Sequence, residues 1–138
     1  MNKITKNIIL LLLLSMSIAF VSCEEEDEGG EEEMDIEFKT GPGFVFSDTT
    51  LAAGTDVEIG IEAETERAKD PLIRFNISES VDDGAASTVY TEDLDDTRYE
   101  YDYDFTLGST SGETHEFTFT VTNRDGFNAQ KSLTITIE

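Results

Sequence analysis

From residue 34 onward apolar and polar side chains alternate with a period of two, and a helical period is almost absent. Successive side chains of a strand point to opposite sides of a sheet, so this texture predicts half-buried strands. Residues 56–63 set Val57, Ile59, Ile61 and Ala63 against Glu58, Gly60 and Glu62. Residues 72–78 set Ile73, Phe75 and Ile77 against Arg74 and Asn76. Residues 99–107 set Tyr99, Tyr101, Tyr103, Phe105 and Leu107 against Glu100, Asp102, Asp104 and Thr106. A slip of one residue in this last run would bury three carboxylates, which fixes its register.

The two final runs are the most regular. Phe117, Phe119 and Val121 alternate with threonines, as do Leu133, Ile135 and Ile137 with Ser132, Thr134 and Thr136. Asn123-Arg124-Asp125-Gly126 between them supplies turn chemistry, with Gly126 free to take a positive φ, so the pair predicts a β-hairpin. Residues 36–39 and 44–46 flank a Gly41-Pro42-Gly43 break and predict a split first strand. Ala53-Gly54 turns the chain into the Val57 strand, and a weaker strand over 88–91 follows the Asp82-Asp83-Gly84 turn. About seven short strands in one domain, residues 34–138, predict an all-β, Ig-like antiparallel β-sandwich. The paired cysteines and core tryptophan of many Ig domains are absent.

The first 33 residues have a different texture. Lys3 and Lys6 precede an apolar run from Ile8 that ends at Phe20-Val21-Ser22-Cys23. The run falls short of the ~20 residues that span a bilayer as a helix, and reads as the core of an export signal. Small Ser22 before Cys23 resembles a bacterial lipobox, with Phe20 in place of the usual leucine. That resemblance implies that residues 1–22 are a lipoprotein signal peptide and that Cys23 becomes the lipidated first residue. Secretory cleavage leaving a free thiol and an uncleaved signal anchor are the alternatives. Cys23 is the sole cysteine, so its lipidation leaves no thiol for a disulfide.

Within residues 23–33 everything after Cys23 is acidic except Gly29 and Gly30, and such a block cannot bury enough surface to order itself. It reads as a solvated tether. Acids directly after the lipidated cysteine also resemble the export signal of surface-exposed Bacteroidota lipoproteins, which implies display at the outer-membrane surface. The net charge of −22, more negative still once Lys3 and Lys6 are removed, repels nucleic-acid phosphates and anionic lipid.

Three further segments, Thr40-Gly41-Pro42-Gly43-Phe44, Leu51-Ala52-Ala53-Gly54-Thr55-Asp56 and the run from Phe117 to Gly126, resemble those of small Bacteroidota surface lipoproteins with Ig-like domains. The resemblance covers signal and domain alike and implies architecture and location, without an activity. The last hairpin is also similar to that of polycystic-kidney-disease-type modules, whose tryptophan strand is missing here.

Candidate chemistry is sparse. A Ser-His-Asp set would have to use the lone histidine, His115, which has no nucleophile elbow beside it and reads as a solvated or capping residue. One histidine and one cysteine do not supply a zinc site, and no phosphate-binding glycine loop is present. The acids Glu92, Asp93, Asp95 and Asp96, with Asp82 and Asp83, read as turn-like sequence. They are candidate calcium ligands, although no Asp-x-Asp-x-Asp-Gly loop occurs. Tyr99, Tyr101 and Tyr103 share one face of one strand and are candidate ligand contacts for a sugar or a protein. Filling the core with their hydroxyls at its rim is the competing reading. The sequence therefore predicts a non-catalytic envelope lipoprotein whose domain mediates interaction or assembly at the outer membrane. The alternative is a glycan- or calcium-binding accessory module of a nutrient-uptake complex.

Overall fold

The computed structural model describes residues 34–138, which form eight strands. These are β1 (Met34–Phe38), β2 (Thr49–Leu51), β3 (Asp56–Thr65), β4 (Leu72–Val81), β5 (Ser87–Asp96), β6 (Arg98–Thr106), β7 (Thr114–Asn123) and β8 (Asn128–Ile137). One sheet has the order β1-β3-β6 and the other β2-β8-β7-β4-β5. All pairings are antiparallel except β2 with β8, which is parallel. Among the described residues no helix is long and apolar enough to cross a membrane. The signal segment, Cys23 and the acidic block lie outside the described residues.

The inner faces of both sheets supply one core. Val57, Ile59, Ile61 and Ala63 of β3 meet Phe75 and Ile77 of β4, Phe117, Phe119 and Val121 of β7, and Leu133, Ile135 and Ile137 of β8, all buried. The alternation of β3, β7 and β8 is thus the one predicted. In β4 a bulge between Leu72 and Arg74 resets the pattern, so that Leu72 is fully buried and Ile73, expected inward, is only half-buried.

Three other expectations are corrected. Residues 44–46 are not the second half of the first strand: Phe44 makes a single bridge to Glu58, and the chain then crosses to the other sheet as β2. The strand expected over 88–91 extends over Ser87–Asp96, so the acids from Glu92 to Asp96 stand in a strand instead of a turn. Strand β5 carries two irregularities, opposite Leu72/Arg74 and Ile77/Ser78, which broke the alternation by which it would be recognised. The β4–β5 turn closes with a Gly84 N–H to Val81 carbonyl bond, and Asp82 and Asp83 both take positive φ (50° and 58°). That geometry is a primed turn, which matches the twist of the strands it joins.

Met34, the loop of residues 66–71, the β5–β6 crossover at Thr97 and the β7–β8 turn all lie at one end of the sandwich. Met34 pairs with Thr65, the Thr65 N–H bonds to the Thr97 carbonyl, and the Arg124 N–H bonds to the Pro71 carbonyl.

Candidate functional site

Strands β5 and β6 border the same open side of the sandwich, one from each sheet. Tyr90 of β5 stacks on Tyr101 of β6 with ring centroids 4.4 Å apart, and Tyr99 and Tyr101 both pack against Phe75. Glu92 lies over them and accepts hydrogen bonds from the hydroxyls of Tyr90 (2.8 Å) and Tyr99 (2.5 Å). These two bonds, that from Tyr99 first, hold the Glu92 carboxyl below its usual range. The Tyr90 phenol is pushed up to about 12, chiefly by its bond to Glu92, and the Tyr99 phenol is raised further, chiefly by burial. Tyr103 stacks on Phe105, packs against Phe117 and is raised by burial and by nearby Glu79. All three sequence-flagged tyrosines are thus half-buried on the inner face, with their rings against core aromatics.

His115 is neither free in solvent nor a cap. Its side chain is 12% exposed, with Nδ1 2.6 Å from Glu79 Oε1 and Nε2 2.9 Å from Glu113 Oε1. Strand β4 supplies Glu79, 36 residues away in sequence, so this contact had no local signal. The carboxylates sit on opposite nitrogens and orient the ring, which also stacks on the Phe117 ring.

The two outer faces differ in chemistry. On the five-stranded sheet Thr118 bonds Ser132, Gln130 bonds Thr120 and Thr122 bonds Asn128, a neutral ladder of hydroxyls and amides. On the three-stranded sheet carboxylates stand directly opposite carboxylates: Asp35 with Glu64, Glu37 with Glu62, Glu62 with Glu100, and Glu58 with Asp104. Like charges in this position are destabilising. Lys39 relieves part of the repulsion. Its chain lies across Gly60, where a Cβ would come within 2.7 Å of Lys39 Cδ, and its Nζ reaches Asp102 (2.8 Å) and Glu100 (3.4 Å). The hydrogen bond to Asp102 is the main cause of the raised Lys39 pKa. Beside it an open depression of about 460 Å³ is lined by Gly43, Asp56, Glu58, Asp104 and Thr106.

Among the described residues no group of three or more His, Cys, Asp or Glu side chains is placed to hold a metal ion. The acids flagged as calcium candidates are spread along β5 and its preceding turn. Glu92 points to the tyrosines, Asp93 to Arg74, Asp95 to Arg124 and Asp82 to the Thr114 N–H.

The arrangement defines an eight-stranded, two-sheet β-sandwich with one outer face rich in carboxylates and one rich in hydroxyls and amides. No protein-family profile and no curated protein matches the sequence. Among solved structures the fold is similar to the superoxide reductase (neelaredoxin) of Ignicoccus hospitalis. For that enzyme the TM-score is 0.50 at 7% identity, covering 77% of this chain and 80% of the neighbour. For a singly substituted form of the same enzyme the TM-score is 0.55 at 10% identity, covering 82% and 89%. The sporulation control protein Spo0M of Bacillus subtilis matches at a TM-score of 0.41 and 12% identity, covering 77% of this chain and 49% of its own. The likeness to the superoxide reductases is one of fold alone.

Proposed function

We propose that this chain is a lipid-anchored envelope protein, held through Cys23 at the outer membrane, whose Ig-like sandwich is a non-catalytic interaction module at the cell surface. The carrying observation is the contrast between the outer faces. Solubility needs no cross-strand rows of like charge, yet the β1-β3-β6 face keeps them at a cost in stability, while the other face is mostly hydroxyls and amides with its Arg74 paired to Asp93. A face so built fits a partner that supplies the missing positive charge. The Ig-like description is supported by connectivity: the first segment contributes β1 to one sheet and β2, parallel to the last strand, to the other. The anchor rests on the Ser22-Cys23 motif and surface display on the acids that follow it.

The test is capture by in-cell crosslinking of the lipidated protein in its own membrane. Wild type should partition with membranes and capture a defined partner. Cys23→Ala should be released, since each buried lipid methylene contributes about 0.8 kcal/mol. Membrane partition unchanged by Cys23→Ala refutes the anchor, and capture of nothing above background refutes the interaction module. Binding on a glycan array, or a rise in melting temperature with added calcium, would favour the accessory-module alternative. Two of the solved structures similar in fold are of a superoxide reductase. Superoxide consumption by this protein above a buffer control would overturn the non-catalytic reading.

A further inference from the structure

An exposed strand edge presents unpaired backbone groups, and proteins blunt such edges by shortness, bulges or covering elements. Three of the four edges here are blunted: β1 has five residues, β2 has three, and β5 is bulged twice. Strand β6 is different. It runs nine residues in unbroken register with β3, from Asp56↔Thr106 to Glu64↔Arg98, and no described strand lies on its other side.

The bonds that continue its ladder set the parity. The Leu107 N–H bonds to the Thr55 carbonyl and the Thr65 N–H to the Thr97 carbonyl, so the odd-numbered residues of β6 face β3 through their backbone groups. The free N–H and C=O groups therefore belong to Glu100, Asp102, Asp104 and Thr106. Their side chains stand on the acidic outer face, whereas Tyr101 and Tyr103 point inward.

We infer that the free edge of β6 is a strand-addition site for an extended, antiparallel segment of a protein partner with Lys or Arg at alternate positions and apolar residues between. This deepens the interaction-module reading and rests on it. In such a pairing the residues opposite Glu100, Asp102 and Asp104 share both backbone bonds and the outer face with them, so cations there make direct cross-strand ion pairs. The depression beside Asp104 receives the long cationic chain. The intervening apolar residues fall on the inner side, extending the aromatic layer of Tyr90 and Tyr101. A second copy of this chain does not fit, because self-pairing of β6 would set carboxylates against carboxylates.

The experiment uses full-length lipidated protein in detergent micelles and a synthetic peptide of about nine residues alternating lysine and valine, matched to the length of β6. Two further forms of equal charge carry three backbone N-methyl groups each, on lysines or on valines. The parent and the valine-methylated peptide should bind alike, because valine N–H groups face away from β6. The lysine-methylated peptide should bind about thirtyfold more weakly, having lost three bonds. Amide exchange at Glu100, Asp102 and Asp104 should slow on binding. Equal binding by the two methylated peptides, no binding by any, or protection confined to another strand overturns the proposal. A native partner captured from membranes whose binding leaves the β6 amides unprotected would overturn this edge alone, leaving the interaction module standing. Absence of any captured partner would remove the module, while the peptide result still decides whether the edge accepts a strand.

Discussion

Replacing Phe75 by alanine tests whether the domain is held by the core as described. Phe75 is fully buried on β4, and its ring touches aromatics from both sheets: Tyr99 at 5.1 Å and Tyr101 at 5.5 Å from one, Tyr90 at 6.1 Å and Phe119 at 6.4 Å from its own. Truncation leaves a cavity that its neighbours cannot close, because the hydroxyls of Tyr90 and Tyr99 are held at the rim by Glu92. Transfer and cavity terms together place the loss at about 4 kcal/mol, the middle of the range for buried phenylalanine. Against a total stability of about 5–15 kcal/mol this lowers the melting temperature by on the order of 20 °C or unfolds the domain. Phe75→Leu, which keeps most of the volume, should lose about 1–2 kcal/mol. Urea unfolding of the three proteins, with unchanged slope, measures both values. A loss below about 1 kcal/mol for alanine, or equal losses for alanine and leucine, would refute the hub role of Phe75.

The raised phenols of Tyr90 and Tyr99 mean that the folded state prefers their neutral forms. Their contribution to stability is complete below the ordinary tyrosine value of 10.0 and, for Tyr90, is lost as pH rises through about 12. Tyrosinate absorbance should show Tyr90 ionising earlier in Glu92→Gln than in wild type, and identical titrations would contradict the Glu92 contacts. Glu92, held below its ordinary value of 4.5, contributes stability that is present above that pH and is lost as pH falls through its lower folded value, which acid melts should show. His115→Ala leaves Glu79 and Glu113 without their shared partner and should cost about 1.5–3 kcal/mol by denaturant unfolding, with His115→Phe no rescue. Gly60→Ala should displace Lys39 and Phe44 and cost about 1–2 kcal/mol; a neutral melting curve would mean that the Lys39 arch is dispensable.

Legibility in the sequence followed exposure. Strands β3, β6, β7 and β8 each have one wet and one dry face, so their alternation could be read residue by residue. Strand β2 could not be read, because three residues carry no period and its pairing partner, β8, lies at the far end of the domain sequence. Strand β5 was obscured by its bulges and by acids whose partners are distant: Glu92 is fixed by Tyr99 across the sheets, Asp93 by Arg74. The alternating carboxylates were visible one strand at a time. Their concentration on one face was not, since it depends on β1, β3 and β6 sharing a sheet.

The end of the sandwich where Met34 begins β1 also gathers most of the domain's scarce cations. Arg67, Lys69, Arg98 and Arg124 stand there, with buried Asp70 close to Arg67 and Lys69. The far end, around Gly54, the Asp82-Asp83 turn and the loop of residues 108–113, carries no Lys or Arg among the described residues, and Lys39 lies beside Gly60 at mid-strand. Within the described residues the cations are therefore graded along the strands, gathered where β1 begins and scarce at the tip. If the domain is tethered through that end to a surface bearing anionic groups, as proposed above, the gradient favours a tip-outward orientation, and the effect weakens as salt shortens the screening length to about 8 Å at physiological ionic strength. On the proposed lipid anchor, orientation would thereby be coupled to the ionic strength of the surrounding medium.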